Sequence, residues 1–279
     1  MRPITAQTAF RLLAICLASL LLCACGMESL FYTTSVKPVS SQQNEQQPLF
    51  VSAPPEEAKP PENSFLSQIS KAAQKNRDAV GWLYIPGTDI NNVVLQAFDN
   101  SYYIRRNEQR QDDIYGCYFA DCDAPLDETE ELAPNTIIYG HSDLKDNPDG
   151  KRFSQLFGFT KEEFAKNTPN IYFSTREDDL VWRVFAVFYT HTSFRYIATH
   201  PSDTEFDRII DKARQGSLYD FDVEVTRDDR ILTLSTCSVK HGTTGEYRFV
   251  VMARLLRQGE SFDDKLKAPV ANPDAKLLT

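Results

Sequence analysis

Residues 230–237 read RILTLSTC, and their alternation decides how the rest of the chain is read. Leu232, Leu234 and Thr236 share one side of an extended segment, and Ile231, Thr233, Ser235 and Cys237 share the other, because successive side chains of a strand point oppositely. Seven further runs are rich in β-branched and aromatic residues and are separated by turn residues. They are TDINNVVLQ (88–96), IYGCYFAD (114–121), NTIIYG (135–140), NIYFST (170–175), DLVWRVFAVFYTH (179–191), FDVEVT (221–226) and EYRFVVMARLL (246–256). Eight short strands at this spacing predict a mainly β domain, a closed barrel or a sandwich. Cys237 then ends a strand, at the mouth of whatever the sheet encloses.

Helical periodicity interrupts the strands in three places. Ser64 is placed to cap a helix running to about residue 77, with Phe65, Ile69 and Ala72 or Ala73 on one face. Thr160 with Glu163 reads as a capping box before KEEFAKN, and Ser202 with Glu205 as another before FDRIIDKARQG. Phe206, Ile209, Ile210 and Ala213 form an apolar stripe on the last helix, the pattern of core packing.

Outside these elements the composition changes. Arg2 and Arg11 are the only charged side chains before Glu28, and LLAICLASLLLCAC follows them over residues 12–25. The run is the length of a signal-peptide apolar core and short beside a span of roughly 17–25 residues. Residues 1–27 are therefore read as a signal peptide or a short membrane anchor. Leu22-Cys23-Ala24-Cys25 resembles the bacterial lipobox, which implies lipidation at Cys25. Residues 28–63 are rich in Pro, Gln, Ser and Glu, lack an apolar period and read as a disordered spacer. The folded domain is expected over residues 64–258, with residues 259–279 as a flexible tail. Either reading of the N-terminus puts the domain on the outer face of the cell membrane, tethered. A net charge of -9 leaves no basic excess to neutralise phosphates, so nucleic acid is excluded as a partner.

Three residue types could carry chemistry. Cys237 stands apart from the other cysteines, and a lone thiol in an exported protein suggests a use as a nucleophile. A thiol nucleophile needs a base or a cation beside it. His141 follows the strand NTIIYG and Gly140; His241, four residues from Cys237, is the local rival. His191 and His200 fall in loop-like stretches. Arg248 lies eleven residues beyond Cys237, so a hairpin of the two strands would return its guanidinium beside the sulfur. There it would stabilise an oxyanion. Read singly, each of these residues is more often structural.

Taken together, TIIYGH (136–141), TLSTC (233–237) and YRFVV (247–251) resemble the sortase signature in order and spacing. GWLYIPGTDINNVVLQ followed by DNSYYI, the N-terminal helix, and the helix within SDTEFDRIIDKARQGSLYD resemble class B sortases. The resemblance implies an eight-stranded barrel with an N-terminal helix and a helix inserted between late strands. It implies a cysteine transpeptidase, thiol-protease-like in its first step, that cleaves a C-terminal sorting signal after threonine through a thioester. The protein cut from that signal would pass to an amine of a peptidoglycan precursor or a pilin. His141, Cys237 and Arg248 match the family's catalytic three. Asn100, Ile104, Tyr139, Thr192, Tyr196, Ile197 and Ser235 match or adjoin its substrate groove. The partners implied are surface proteins or pilins bearing a sorting motif, with no cofactor and no metal.

Some features depart from that pattern. Ser238 stands where the family often has an acid after the cysteine, and Cys117 and Cys122 form an unusual pair, disulfide or two thiols. The competing readings are an L,D-transpeptidase-like wall enzyme and a non-enzymatic surface lipoprotein that binds a ligand. The first requires a Ser-x-Gly-Cys-x-Arg run, which the Ser-Thr before Cys237 does not supply. The second predicts an inert Cys237.

Overall fold

The computed structural model describes residues 64–126 and 131–279. The signal or anchor read over 1–27, the spacer over 28–63 and Cys25 lie outside the described residues. No helix among the described residues is long and apolar enough to cross a membrane.

Helix α1 (Leu66–Lys75) precedes strands β1 (Ala79–Tyr84), β2 (Asn91–Leu95), β3 (Tyr118–Ala120) and β4 (Asn135–Tyr139). A 3-10 segment (Arg152–Thr160) and α2 (Glu162–Asn167) lead to β5 (Asn170–Thr175) and β6 (Val181–His191). Helix α3 (Asp203–Gly216), β7 (Tyr219–Asp220), β8 (Ile231–Cys237), β9 (Tyr247–Leu255) and β10 (Val270–Ala271) complete the order. Eight strands close a barrel in the order β1-β2-β3-β4-β8-β9-β6-β5, and β5 pairs back to β1. Most neighbours are antiparallel, but β2 with β3 and β4 with β8 are parallel.

Alternation along the strands sorts side chains between two cores. Leu232 and Leu234 of β8 and Phe249, Val251 and Ala253 of β9 enter the barrel interior. Phe153, Leu156, Phe157 and Phe159 of the 3-10 segment join the same core. Ile231, Val250 and Met252 face outward, where α3 covers them with Phe206, Ile209, Ile210 and Ala213. Each such Leu, Ile, Val, Met or Phe side chain taken from water contributes about 1.5–3 kcal/mol.

Several expectations are corrected or closed by this architecture. FDVEVT forms no strand; AVGWLY supplies the eighth as β1. Closure explains this, since both edges of β8 are already taken by β4 and β9, and a closed sheet offers no third. Thr160 and Glu163 form no capping box: α2 begins after Lys161 without a side-chain cap, and Thr160 Oγ1 donates to the Phe157 carbonyl. Ser202 does cap α3, accepting from the Glu205 N–H. The tail expected over residues 259–279 instead packs on the barrel. Buried Arg254 bonds both carboxylate oxygens of Glu260, β10 pairs with β7, and Leu278 is 2% exposed between β6 and Gly216. Cys117 and Cys122 are separate thiols, with Cys117 buried.

Candidate active site

The site is built where two parallel strands end together. The β4–β8 register places Tyr139 opposite Ser235, so Gly140 and His141 leave the sheet beside Thr236 and Cys237. The Gly140 N–H donates to the Ser235 carbonyl, and Thr236 Oγ1 donates to the Gly140 carbonyl at 2.8 Å. Glycine is required here because a Cβ would lie 2.7 Å from the Phe153 ring. On the other side of β8, the antiparallel register with β9 makes Cys237 and Arg248 direct partners. The hairpin therefore returns the guanidinium to the cysteine's end.

Cys237 is exposed and shares its strand face with Ile231, which packs beneath α3 on the outside of the barrel. The reading of Cys237 at an enclosed mouth is thus corrected: it opens into a groove on the outer face. That groove holds about 340 Å³. His141, Cys237 and Arg248 all line it, and so do Asn100, Ile104, Tyr139, Thr192, Tyr196, Ile197 and Ser235. Phe119, Gly140, Phe194 and Thr236 also line it and were not singled out from the sequence. Phe119 carried a usable signal, since it alternates with Tyr118 on a short strand; its ring lies 5.3 Å from that of Tyr139.

Hydrogen bonds fix the groove walls. Tyr196 and Ser235 bond hydroxyl to hydroxyl at 2.8 Å, and burial pushes the Tyr196 phenol up to about 12. The Tyr139 hydroxyl donates to Asp121 Oδ2 at 2.7 Å, and Asn100 Nδ2 donates to the same oxygen at 2.9 Å. Burial and the Asp121 carboxylate push the Tyr139 phenol up, so it remains a neutral donor. Ile104 and Ile197 keep part of their apolar surface in solvent at the groove.

The His141 ring is held by the Ile104 carbonyl, 2.7 Å from Nε2. A carbonyl only accepts, so Nε2 carries a proton and Nδ1 is the basic nitrogen of the neutral ring. Burial lowers the His141 pKa, with the Ile104 bond acting against it. Arg248 Nη1 donates to the Gly245 and Tyr247 carbonyls at 2.6 and 2.9 Å, which orients the guanidinium on its strand. The other histidines stand outside the groove. His241 packs on Tyr189, His191 lies near Glu246, and His200 is exposed beside Thr199. Asp121, Cys122 and Asp123 are the one cluster of metal-ligand type among the described residues, and Asp121 is already committed to Asn100 and Tyr139.

A family profile described as Sortase domain matches residues 83–256. The chain belongs to the sortase family. It is 37% identical over 166 residues to sortase B of Listeria monocytogenes, a match covering 59% of this chain and 65% of that relative. It is 32% identical over 191 residues to sortase B of Staphylococcus aureus, covering 68% and 75%. The aligned stretch thus spans just under two thirds of the first relative and three quarters of the second. A Staphylococcus aureus sortase B–substrate complex superposes with a TM-score of 0.61 at 30% identity, covering 69% of this chain and 86% of that one. A sortase B complexed with triglycine does so with a TM-score of 0.61 at 31% identity, covering 70% and 87%. These relatives are all class B, as the inserted α3 and the N-terminal α1 suggested.

Proposed function

We propose that the chain is a cysteine transpeptidase acting on a peptide laid along the 340 Å³ groove. The observation that carries this is the convergence of Cys237, His141 and Arg248 from three different elements on that one groove. The Cys237 thiolate attacks the carbonyl carbon of a threonine in a C-terminal sorting signal. The C–N bond breaks, the leaving amine takes a proton from the His141 imidazolium, and a thioester remains. An incoming amine then attacks the thioester, gives its proton to the His141 imidazole and expels the thiolate. Arg248 offers fixed donors to the oxyanion in both steps. Asn100, Tyr139, Thr192, Tyr196 and Ser235 supply polar contacts to the peptide, and Ile104 and Ile197 an apolar seat. The substrate and triglycine complexes of sortase B relatives support a sorting-type peptide and an amine acceptor, here a peptidoglycan precursor or a pilin. The N-terminal run supports a tether placing the domain on the outer face of the membrane.

The test incubates the protein with peptides carrying Asn-Pro-x-Thr or Leu-Pro-x-Thr, with and without triglycine. Mass spectrometry reads the Cys237 peptide. The expected result is an acyl adduct on Cys237, absent in Cys237→Ala, that moves to triglycine. An adduct on no peptide, with Cys237 also inert to thiol probes, would replace the enzyme with the ligand-binding lipoprotein.

A further inference from the structure

The loop that leaves His141 and the loop that leaves Cys237 are stapled together. Ser142 Oγ donates to the Cys237 carbonyl at 2.6 Å. Four residues further on, Asp146 turns its carboxylate to the segment after Cys237. Oδ2 accepts from Ser238 Oγ at 2.6 Å and from the Lys240 N–H at 3.0 Å, and Oδ1 accepts from the Val239 N–H at 2.9 Å. One side chain thereby receives three donors from three consecutive residues more than ninety positions away in sequence. Ser238 is 2% exposed, so its hydroxyl needs a partner, and Asp146 is that partner. The backbone of Asp146 has φ 51, a left-handed conformation that Asp tolerates better than most residues. Strain of this kind persists where surrounding bonds over-determine it. Asp143 anchors the loop from within, accepting from the Lys145 and Asn147 N–H groups, and its own N–H donates to Ser154 Oγ.

We propose that Asp146 is a positioning residue: it fixes the Cys237 end of β8 relative to His141 by clamping residues 238–240 to the histidine loop. The proposal rests on reading Cys237 and His141 as the reacting pair. It also gives a role to Ser238, whose buried hydroxyl donates to the clamping carboxylate from the opposite loop. Removing the clamp leaves the groove walls in place, because Tyr196, Tyr139 and Asn100 are held by Ser235 and Asp121. The loss should therefore fall on kcat and leave KM nearly unchanged.

The experiment uses the full chain with Asp146→Ala, Asp146→Asn, Ser238→Ala and, as a control in the same loop, Asp149→Ala, whose side chain is exposed. Three quantities are read: kcat and KM for transfer from peptide to triglycine, the rate of iodoacetamide alkylation at the Cys237 peptide, and Tm. Asp146→Ala is expected to lower kcat about tenfold with KM within about twofold, the scale of a small displacement of a reacting group. It should also change the alkylation rate at Cys237. Asp146→Asn keeps an acceptor for the backbone donors and should recover most of kcat; Asp149→Ala should match the parent. Unchanged kcat and alkylation in Asp146→Ala would overturn the proposal, as would a rise in KM alone. If Asp146→Ala does not fold, Ser238→Ala decides by the same criteria. If the parent protein turns over no peptide, the transpeptidase reading fails, and the alkylation rates still decide on the clamp.

Discussion

Cys237 and Arg248 face one another across β8 and β9, and this pairing sets the strongest residue-scale expectation. Arg248 Nη1 is engaged by two carbonyls of its own hairpin, so the guanidinium is held in one orientation before any substrate arrives. An ammonium on a flexible stem would not reproduce a planar fork. Both Arg248→Lys and Arg248→Ala should lower kcat by about 10²–10³, the cost of losing one oxyanion donor, with the Cys237 thiol still alkylated. Steady-state kinetics beside alkylation at the Cys237 peptide checks this. His141 gives a pH expectation. Burial lowers its folded pKa below that of an unfolded histidine, near 6.5, so the unfolded chain binds more protons in the window between the two values. Its contribution to stability is therefore full above that window and is lost as pH falls through it. Melting temperatures between pH 5 and 8 should fall less steeply toward acid in His141→Asn than in the parent. His241, also lowered by burial, retains a residual slope in both.

At the scale of elements, the C-terminal return is the part that composition concealed. Leu278 sits against Gly216 at the end of α3, and its backbone bonds both the His191 N–H and the Tyr189 carbonyl at the end of β6. Thr192, the next residue along, is already in the groove. The return thus braces the root of the segment that carries Thr192, Phe194, Tyr196 and Ile197. Leu278→Ala should cost about 2 kcal/mol, near the low end for a buried leucine because a chain end relaxes easily. It should also raise KM more than it lowers kcat, since the displaced segment touches peptide and not the sulfur. Urea denaturation with parallel kinetics checks both. An unchanged unfolding midpoint would show that the return adds nothing to the fold.

For the molecule as a whole, local signals and closure divided the work. Alternation in RILTLSTC and YRFVVMARLL identified β8 and β9, and the ten residues between Cys237 and Arg248 were enough to place both at one end of a hairpin. The apolar stripe of α3 and its Ser202 cap were equally legible, because helix periodicity and capping are properties of neighbours in sequence. The motifs around His141, Cys237 and Arg248 were legible as a family resemblance, and the sortase profile over residues 83–256 bears out that recognition. Other features depended on contacts far apart in the chain. FDVEVT alternates as a strand should, yet a closed barrel had no edge left for it. The outward face of Cys237 followed from α3 covering Ile231 on the same side of β8, which alternation alone leaves ambiguous between inside and out. Asp146 and Asp121 carry no local signal in the sequence, because their partners lie roughly ninety and twenty positions away. The sequence by itself thus determined most element types, FDVEVT, β1 and the C-terminal return excepted, together with the hairpin that joins Cys237 to Arg248, and the family. The tertiary structure alone decided which sheet face bears the groove, what clamps its corners and where the C-terminal residues pack, because burial and hydrogen-bond partnership are settled only when distant segments meet.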